Sequence, residues 1–274
     1  MAIALALTAS LCWGIGDFLG GSLSRRHPLL VVVLISQAVG LVGIATVAAL
    51  SSGAPPAGVV APGALAGFMG VIGILSFYRA MTIGAISVAA PILASSVAIP
   101  VVAGLATGER PSALQLAGIA SALAGVVLVS REPAPDGGTI RGAGVPLAVL
   151  AAAALGVQLI AIDHAARADA LWGVGMARIT SVSVFAVAAL VLRPTVAAAA
   201  LAPVAVAGAV DVTPNASFAV ATRHGYLSIV AVLSSLYPLV TVALAHRHLH
   251  ERLSRGQRVG VALAVGGAMA IAVG

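Results

Sequence analysis

Phe77-Tyr-Arg-Ala-Met-Thr-Ile-Gly-Ala-Ile-Ser87 returns later in the chain as Phe218-Ala-Val-Ala-Thr-Arg-His-Gly-Tyr-Leu-Ser228, with Phe, Ala, Gly and Ser in register at a shift of 141 residues. Working outward, Glu109-Arg110-Pro-Ser112-Ala-Leu-Gln115-Leu-Ala-Gly118 returns as Glu251-Arg252-Leu-Ser254-Arg-Gly-Gln257-Arg-Val-Gly260 at a shift of 142, and Gly14 matches Gly156 at the same shift. A period that long, seen twice, is a duplicated unit. The chain reads as a first repeat at 1–130, a linker at 131–143 and a second repeat at 144–274.

Both copies are almost wholly apolar. The chain is 61% hydrophobic and 8% charged, with a mean hydropathy of +1.13. A soluble protein carries about a quarter charged residues, so lipid is the solvent here. A span needs roughly 20 apolar residues, and 274 residues with short connections hold about ten. The expected fold is an all-α membrane protein. The expected spans are 2–21, 29–50, 60–82, 85–107, 112–130, 144–166, 171–192, 202–224, 227–247 and 256–274. Arg-Arg-His-Pro at 25–28, Ser-Ser-Gly-Ala-Pro-Pro at 51–56 and Gly-Glu-Arg-Pro at 108–111 punctuate them. Asp17 and Trp13 inside the first segment fit a retained span better than a cleaved signal.

Five spans per repeat is an odd number, so tandem copies enter the membrane in opposite senses. The expected architecture is two inverted five-helix repeats, a plan common among secondary transporters, with a site where the halves meet. Gly63, Gly67, Gly70 and Gly73 bare one face of the third span for close helix approach, and Gly256, Gly260, Gly266 and Gly267 offer the same on the last.

The net charge is +6, carried by Arg without any Lys. No dense basic run with interleaved aromatics suggests nucleic acid. Ten Arg fall on the face opposite the termini and three on the termini face, which by the positive-inside rule places both termini outside. The single Cys12 excludes an internal disulfide and reads as a small apolar packing residue.

The residues so far resemble the EamA-type branch of the drug/metabolite transporter superfamily. The resemblance lies in Ala80, Gly84, Ser87, Ala90-Pro91, Pro100, Gly108-Glu109-Arg110, Gln115 and Gly118. It continues in Ala221, Gly225, Ser228, Pro238, Glu251-Arg252, Gln257 and Gly260, and in Trp13-Gly14 near the start of the first span. It implies ten spans, a central cavity and alternating access. It also implies a small metabolite or drug as substrate, often moved outward in exchange for protons, and cytoplasmic termini. Ala231-Val232 stands where the second half would carry Ala-Pro, so substrate identity does not follow.

Ionisable groups within the bilayer are functional candidates, since each costs several kcal/mol there, by estimates of about 2.5 and upward. Asp211 and Asn215 share a helix face around Pro214 in the eighth span, a set able to take a cation, an ammonium group or a proton. Asp211 reads equally as the partner of Arg178, whose guanidinium fork would otherwise suit a substrate carboxylate. Asp17 and Trp13 in the first span, Gln158 in the sixth, and Tyr78 and Tyr237 in the third and ninth complete the expected substrate site. Asp17 could instead face headgroups, Gln158 could bond between helices, and the two Tyr could sit at the interface. Pro91, Pro100, Pro214 and Pro238 are expected kinks available for gating. His246-Arg-His248-Leu-His250-Glu251 lacks the order of a metalloprotease helix and reads as a solvated turn; Asp163-His164 reads as interfacial.

The sequence thus points to a secondary transporter in the plasma membrane with no cofactor and no metal. Its partners are the bilayer, a small solute and the proton as coupling ion. An intramembrane enzyme or a non-transporting scaffold is the rival reading. The enzyme would need a clustered catalytic set, and none stands in the sequence.

Overall fold

The computed structural model describes residues 1–24, 29–83, 86–130, 144–194, 212–249 and 254–274, with the side chains of all of these except 17–24, 29, 81–82, 86–89, 245 and 248–249. The described residues are helical almost throughout and include no strand. The first repeat holds α1 (Ala2–Ser24), α2 (Leu29–Ser52), α3 (Val60–Ile83), α4 (Ile86–Ala94), α5 (Ala98–Ala106) and α6 (Ala113–Val129). The second holds α7 (Val145–Ala168), α8 (Ala170–Leu192), α9 (212–222), α10 (Leu227–Ser234), α11 (Tyr237–Leu249) and α12 (Arg255–Val273). Among the described residues, six segments are long and apolar enough to cross a membrane whole. Joining α4 to α5 and α10 to α11, each pair being one interrupted span, gives ten passes.

The interruptions have a cause. Pro100 and Pro238 have no N–H to offer the carbonyls of Ser96 and Ser234 one turn back. The first span tightens into a 3-10 turn at Ser95–Val97, and the second breaks at 235–236. Hydroxyls at the breaks donate to nearby carbonyls, Ser95 Oγ to Ile92 at 2.6 Å and Ser235 Oγ to Val232 at 2.7 Å. Pro91 lies within α4, half-buried, and Pro214 is buried in α9.

The repeat in sequence is a repeat in space. Ser112 and Ser254 open α6 and α12 with the same reciprocal cap. Each hydroxyl accepts from the backbone of Gln115 or Gln257 (3.2 and 3.1 Å), and each Gln oxygen accepts from the Ser backbone (2.9 and 3.0 Å). These equivalent helices then pack against each other in opposite directions. The Gly118 backbone meets Gly267, the Gly125 backbone meets Gly260, and Ser121 Oγ donates to the Leu263 carbonyl at 2.9 Å. The 142-residue shift carries the first of these contacts onto the second, and the third onto itself. Only a two-fold rotation does that, and antiparallel equivalent helices put its axis across the helix direction, in the membrane plane. The repeats are inverted, as their odd span count requires.

The same rotation relates the two crossings between the halves. A Cβ on Gly14 of α1 would meet the Tyr237 carbonyl at 2.7 Å and the Val240 side chain of α11; one on Gly156 of α7 would meet the Ser96 carbonyl at 2.8 Å and Ile99 Cβ at 2.7 Å. Tyr237 and Val240 stand 141 residues after Ser96 and Ile99. The glycine face of α3 is used as expected: Gly63 and Gly67 admit α8, while Gly70 and Gly73 admit α7. On α12 only part of the expectation holds. Gly260 and Gly267 face α6, but Gly266 meets no neighbour and Gly256 only the cap of its own helix.

Candidate functional site

Two places bring chemistry together: an aromatic cluster between the halves and a cleft on the face that carries both termini. Trp13 of α1 anchors the first. Its ring lies 6.1 Å from Phe218 of α9 and 6.3 Å from Tyr237 of α11, the latter edge-on at 71°. Edge-to-face rings at such distances attract through their quadrupoles; Phe218 is fully buried, while Trp13 and Tyr237 are half-buried. The close approach at Gly14 brings the helices together here, and Thr241 Oγ1 donates to the Gly14 carbonyl at 3.1 Å.

Of the expected site residues, Trp13 and Tyr237 meet, and Phe218 of α9 packs on the Trp13 ring. Asn215 is half-buried on α9, one turn from Phe218 and beside the buried Pro214. Gln158 lies on α7 with its amide against Gly70 of α3, where a Cβ on Gly70 would come within 2.8 Å of its nitrogen. That is a helix–helix contact. Tyr78 packs against its neighbour Phe77 at 5.8 Å on α3. Arg178 is buried on α8, 5% exposed, and donates to the Gln37 side-chain oxygen on α2; Ser181 Oγ donates to that oxygen at 3.4 Å. Asp211 and the Asp17 side chain lie outside the described residues, as do His250 and Glu251. Among the described residues no three metal-ligating side chains gather.

The cleft, about 360 Å³, opens among the ends of α5, α7 and α9 and the start of α10. Glu109, Asp163, Arg167, Arg223 and Tyr226 line it. The Glu109 carboxylate accepts from the backbone N–H of Leu227 (2.5 Å) and of Ser228 (3.0 Å), capping the first turn of α10. It thus ties the α5–α6 turn of one repeat to the α9–α10 turn of the other. Gly104 makes room, since any side chain there would strike the carboxylate. Asp163 lies near the end of α7, is buried at 5% exposure and holds Arg167 Nη2 at 2.9 Å, one helical turn on. The neighbouring His164 is exposed, its ring nitrogen 3.0 Å from the Ile160 carbonyl.

Glu109 is a cleft residue that the sequence does not mark as a site; its only signal there is its recurrence in both halves as Glu251.

Glu109→Ala should lower the thermal midpoint of the detergent-solubilised protein, with a loss of about 2 kcal/mol for two charge-assisted bonds to backbone. Glu109→Gln, which keeps one acceptor oxygen, should lose less. Equal midpoints for wild type and the Ala variant would show that the cap carries no stability.

Comparison with known proteins bears on the whole chain. A model of the EamA-like transporter family matches residues 1–131 and 142–273. A solved crystal structure of a protein shares the fold, with a TM-score of 0.81 at 20% identity over 99% of this chain and 96% of that one. No curated protein matches the sequence.

Proposed function

The chain belongs to the EamA-like transporter family, and from that premise we propose that it is a secondary active transporter, moving a small organic metabolite or drug out across the plasma membrane in exchange for protons. The observation that carries this reading is the pair of rotation-related crossings, Gly14 on α11 and Gly156 on α5, each beside an interrupted helix. Interrupted helices paired by a two-fold axis in the membrane plane can exchange conformations between the halves, which opens one mouth as the other closes. The solute then binds between them, on the half-buried Trp13 and Tyr237, which Phe218 backs from the core, with Asn215 on α9 and Asp211 and Asp17 supplying the proton-exchanging carboxylates. Arg178 on α8 is the countercharge we assign to Asp211.

Proteoliposome flux tests this directly. An imposed pH gradient should accelerate solute movement in wild type, and Asp211→Asn should abolish the acceleration. Trp13→Ala should raise the half-saturating concentration about tenfold, the scale of two lost aromatic contacts. Flux indifferent to the gradient would remove the proton from the reading. A half-saturation unchanged by Trp13→Ala would move the site elsewhere.

A further inference from the structure

We propose that the cleft on the termini face is a receiving site for the carboxylate or phosphate group of a small solute, held by Arg223, Arg167 and the Tyr226 hydroxyl. This deepens the transporter reading and rests on it for the solute's onward path.

Both acids lining the cleft are engaged by the protein. Glu109 faces the two amides of α10, and Asp163 is held by a single nitrogen of Arg167. Arg167 keeps its remaining donors free, its side chain 64% exposed. Among the described residues Arg223 forms no ion pair and its guanidinium no hydrogen bond, and Tyr226 is 42% exposed with its hydroxyl likewise unbonded. The walls therefore offer two guanidinium groups and a phenol as open donors, against one carboxylate that is ion-paired and one that is turned onto backbone amides. An oxyanion matches that, and a guanidinium fork can hold either carboxylate or phosphate through paired bonds. A volume of about 360 Å³ is in the range of small-solute sites.

The repeat supplies a second, independent observation. At shifts of 141 and 142, Arg167 corresponds to Arg25 and Glu109 to Glu251, so these two types belong to the common plan of both halves. Asp163, Arg223 and Tyr226 correspond to Gly21, Thr82 and Ala85. The first repeat does without those three, so the scaffold does not require them. They equip one mouth of the transporter and not the other, which suits a group that recognises a solute on one side.

The test uses the full chain in nanodiscs of neutral phosphatidylcholine. Thermal midpoints are titrated with sodium phosphate and with sodium succinate, against sodium chloride at matched ionic strength. Phosphate and succinate should stabilise wild type beyond chloride. Arg223→Gln should weaken the apparent affinity about tenfold, as expected for one charge-assisted contact. Tyr226→Phe, which removes a hydroxyl alone, should weaken it about threefold, so the result does not hang on one variant's folding. Asp163→Asn should strengthen it, because Arg167 is released toward the cleft. A purely structural role would not give that reversal of sign. Responses no larger than chloride's, or variants that titrate like wild type, overturn the proposal. So does stabilisation by phosphatidylglycerol in the nanodisc with none by phosphate or succinate, which would assign the cleft to a lipid headgroup. Solute flux in the same preparations separates the two readings. Intact flux without an anion response sinks this site alone, whereas an anion response without any flux sinks the transport assignment.

Discussion

Gly125→Val and Gly267→Val should each abolish most of the monodisperse protein recovered in detergent, and to the same degree. A Cβ on Gly125 would stand 2.6 Å from the Gly260 carbonyl, and one on Gly267 would stand 2.6 Å from the Gly118 carbonyl and from the Ala122 nitrogen. These obstacles are backbone atoms, so no rotamer change relieves them and α6 must separate from α12. Overpacking costs about 1–3 kcal/mol where side chains can shift, and more where they cannot. The two positions are 142 residues apart and related by the internal rotation, so their penalties should match. Gly266→Val, one residue along α12 with no neighbour within 4 Å, is the control and should express like wild type. Size-exclusion profiles after thermal challenge give the readout. Unequal damage at Gly125 and Gly267 would count against the two-fold relation.

Gly14→Val and Gly156→Val should reduce flux at least about tenfold, since the reacting surfaces between the halves depend on sub-ångström placement. Gly14 seats α1 on the Tyr237 carbonyl, and Gly156 seats α7 on the Ser96 carbonyl. Widening either crossing displaces an interrupted helix. The two outcomes should differ in kind. The Gly14 variant also moves Trp13 from Tyr237 and should lose affinity, whereas the Gly156 variant lies away from the ring cluster and should lose turnover at nearly unchanged half-saturation. Proteoliposome kinetics over a range of solute concentrations would show it, and a matching loss of affinity in both would contradict the placement of the solute at Trp13.

The span boundaries were legible because polar punctuation is cheap to see in so apolar a chain. The stretch expected at 112–130 is helical at Ala113–Val129, and that expected at 85–107 runs from Ile86 to Ala106. The inversion followed from parity alone. The rotation of each helix was not legible. A span that is apolar all round has no polar face to orient it, so nothing in the sequence aimed Gln158 at Gly70 or Trp13 at Phe218. The burial of Asp163 was not legible either: its place near a helix end reads as interfacial, and only the packing of the neighbouring helices shows the carboxylate covered while its partner Arg167 reaches out. Glu109 was visible as part of a repeated turn, but its ligands are backbone amides, which no residue letter announces.

Gln37 and Arg178 are separated by 141 residues and touch across the internal two-fold. At such a place a residue faces its own counterpart. Were the halves two separate, identical polypeptides, any choice there would set like against like, guanidinium on guanidinium or amide on amide. Joining the copies in one chain lets the two positions drift apart until one donates and the other accepts. Covalent fusion, then, is what allows this protein to keep a cation in the lipid-shielded seam between its halves.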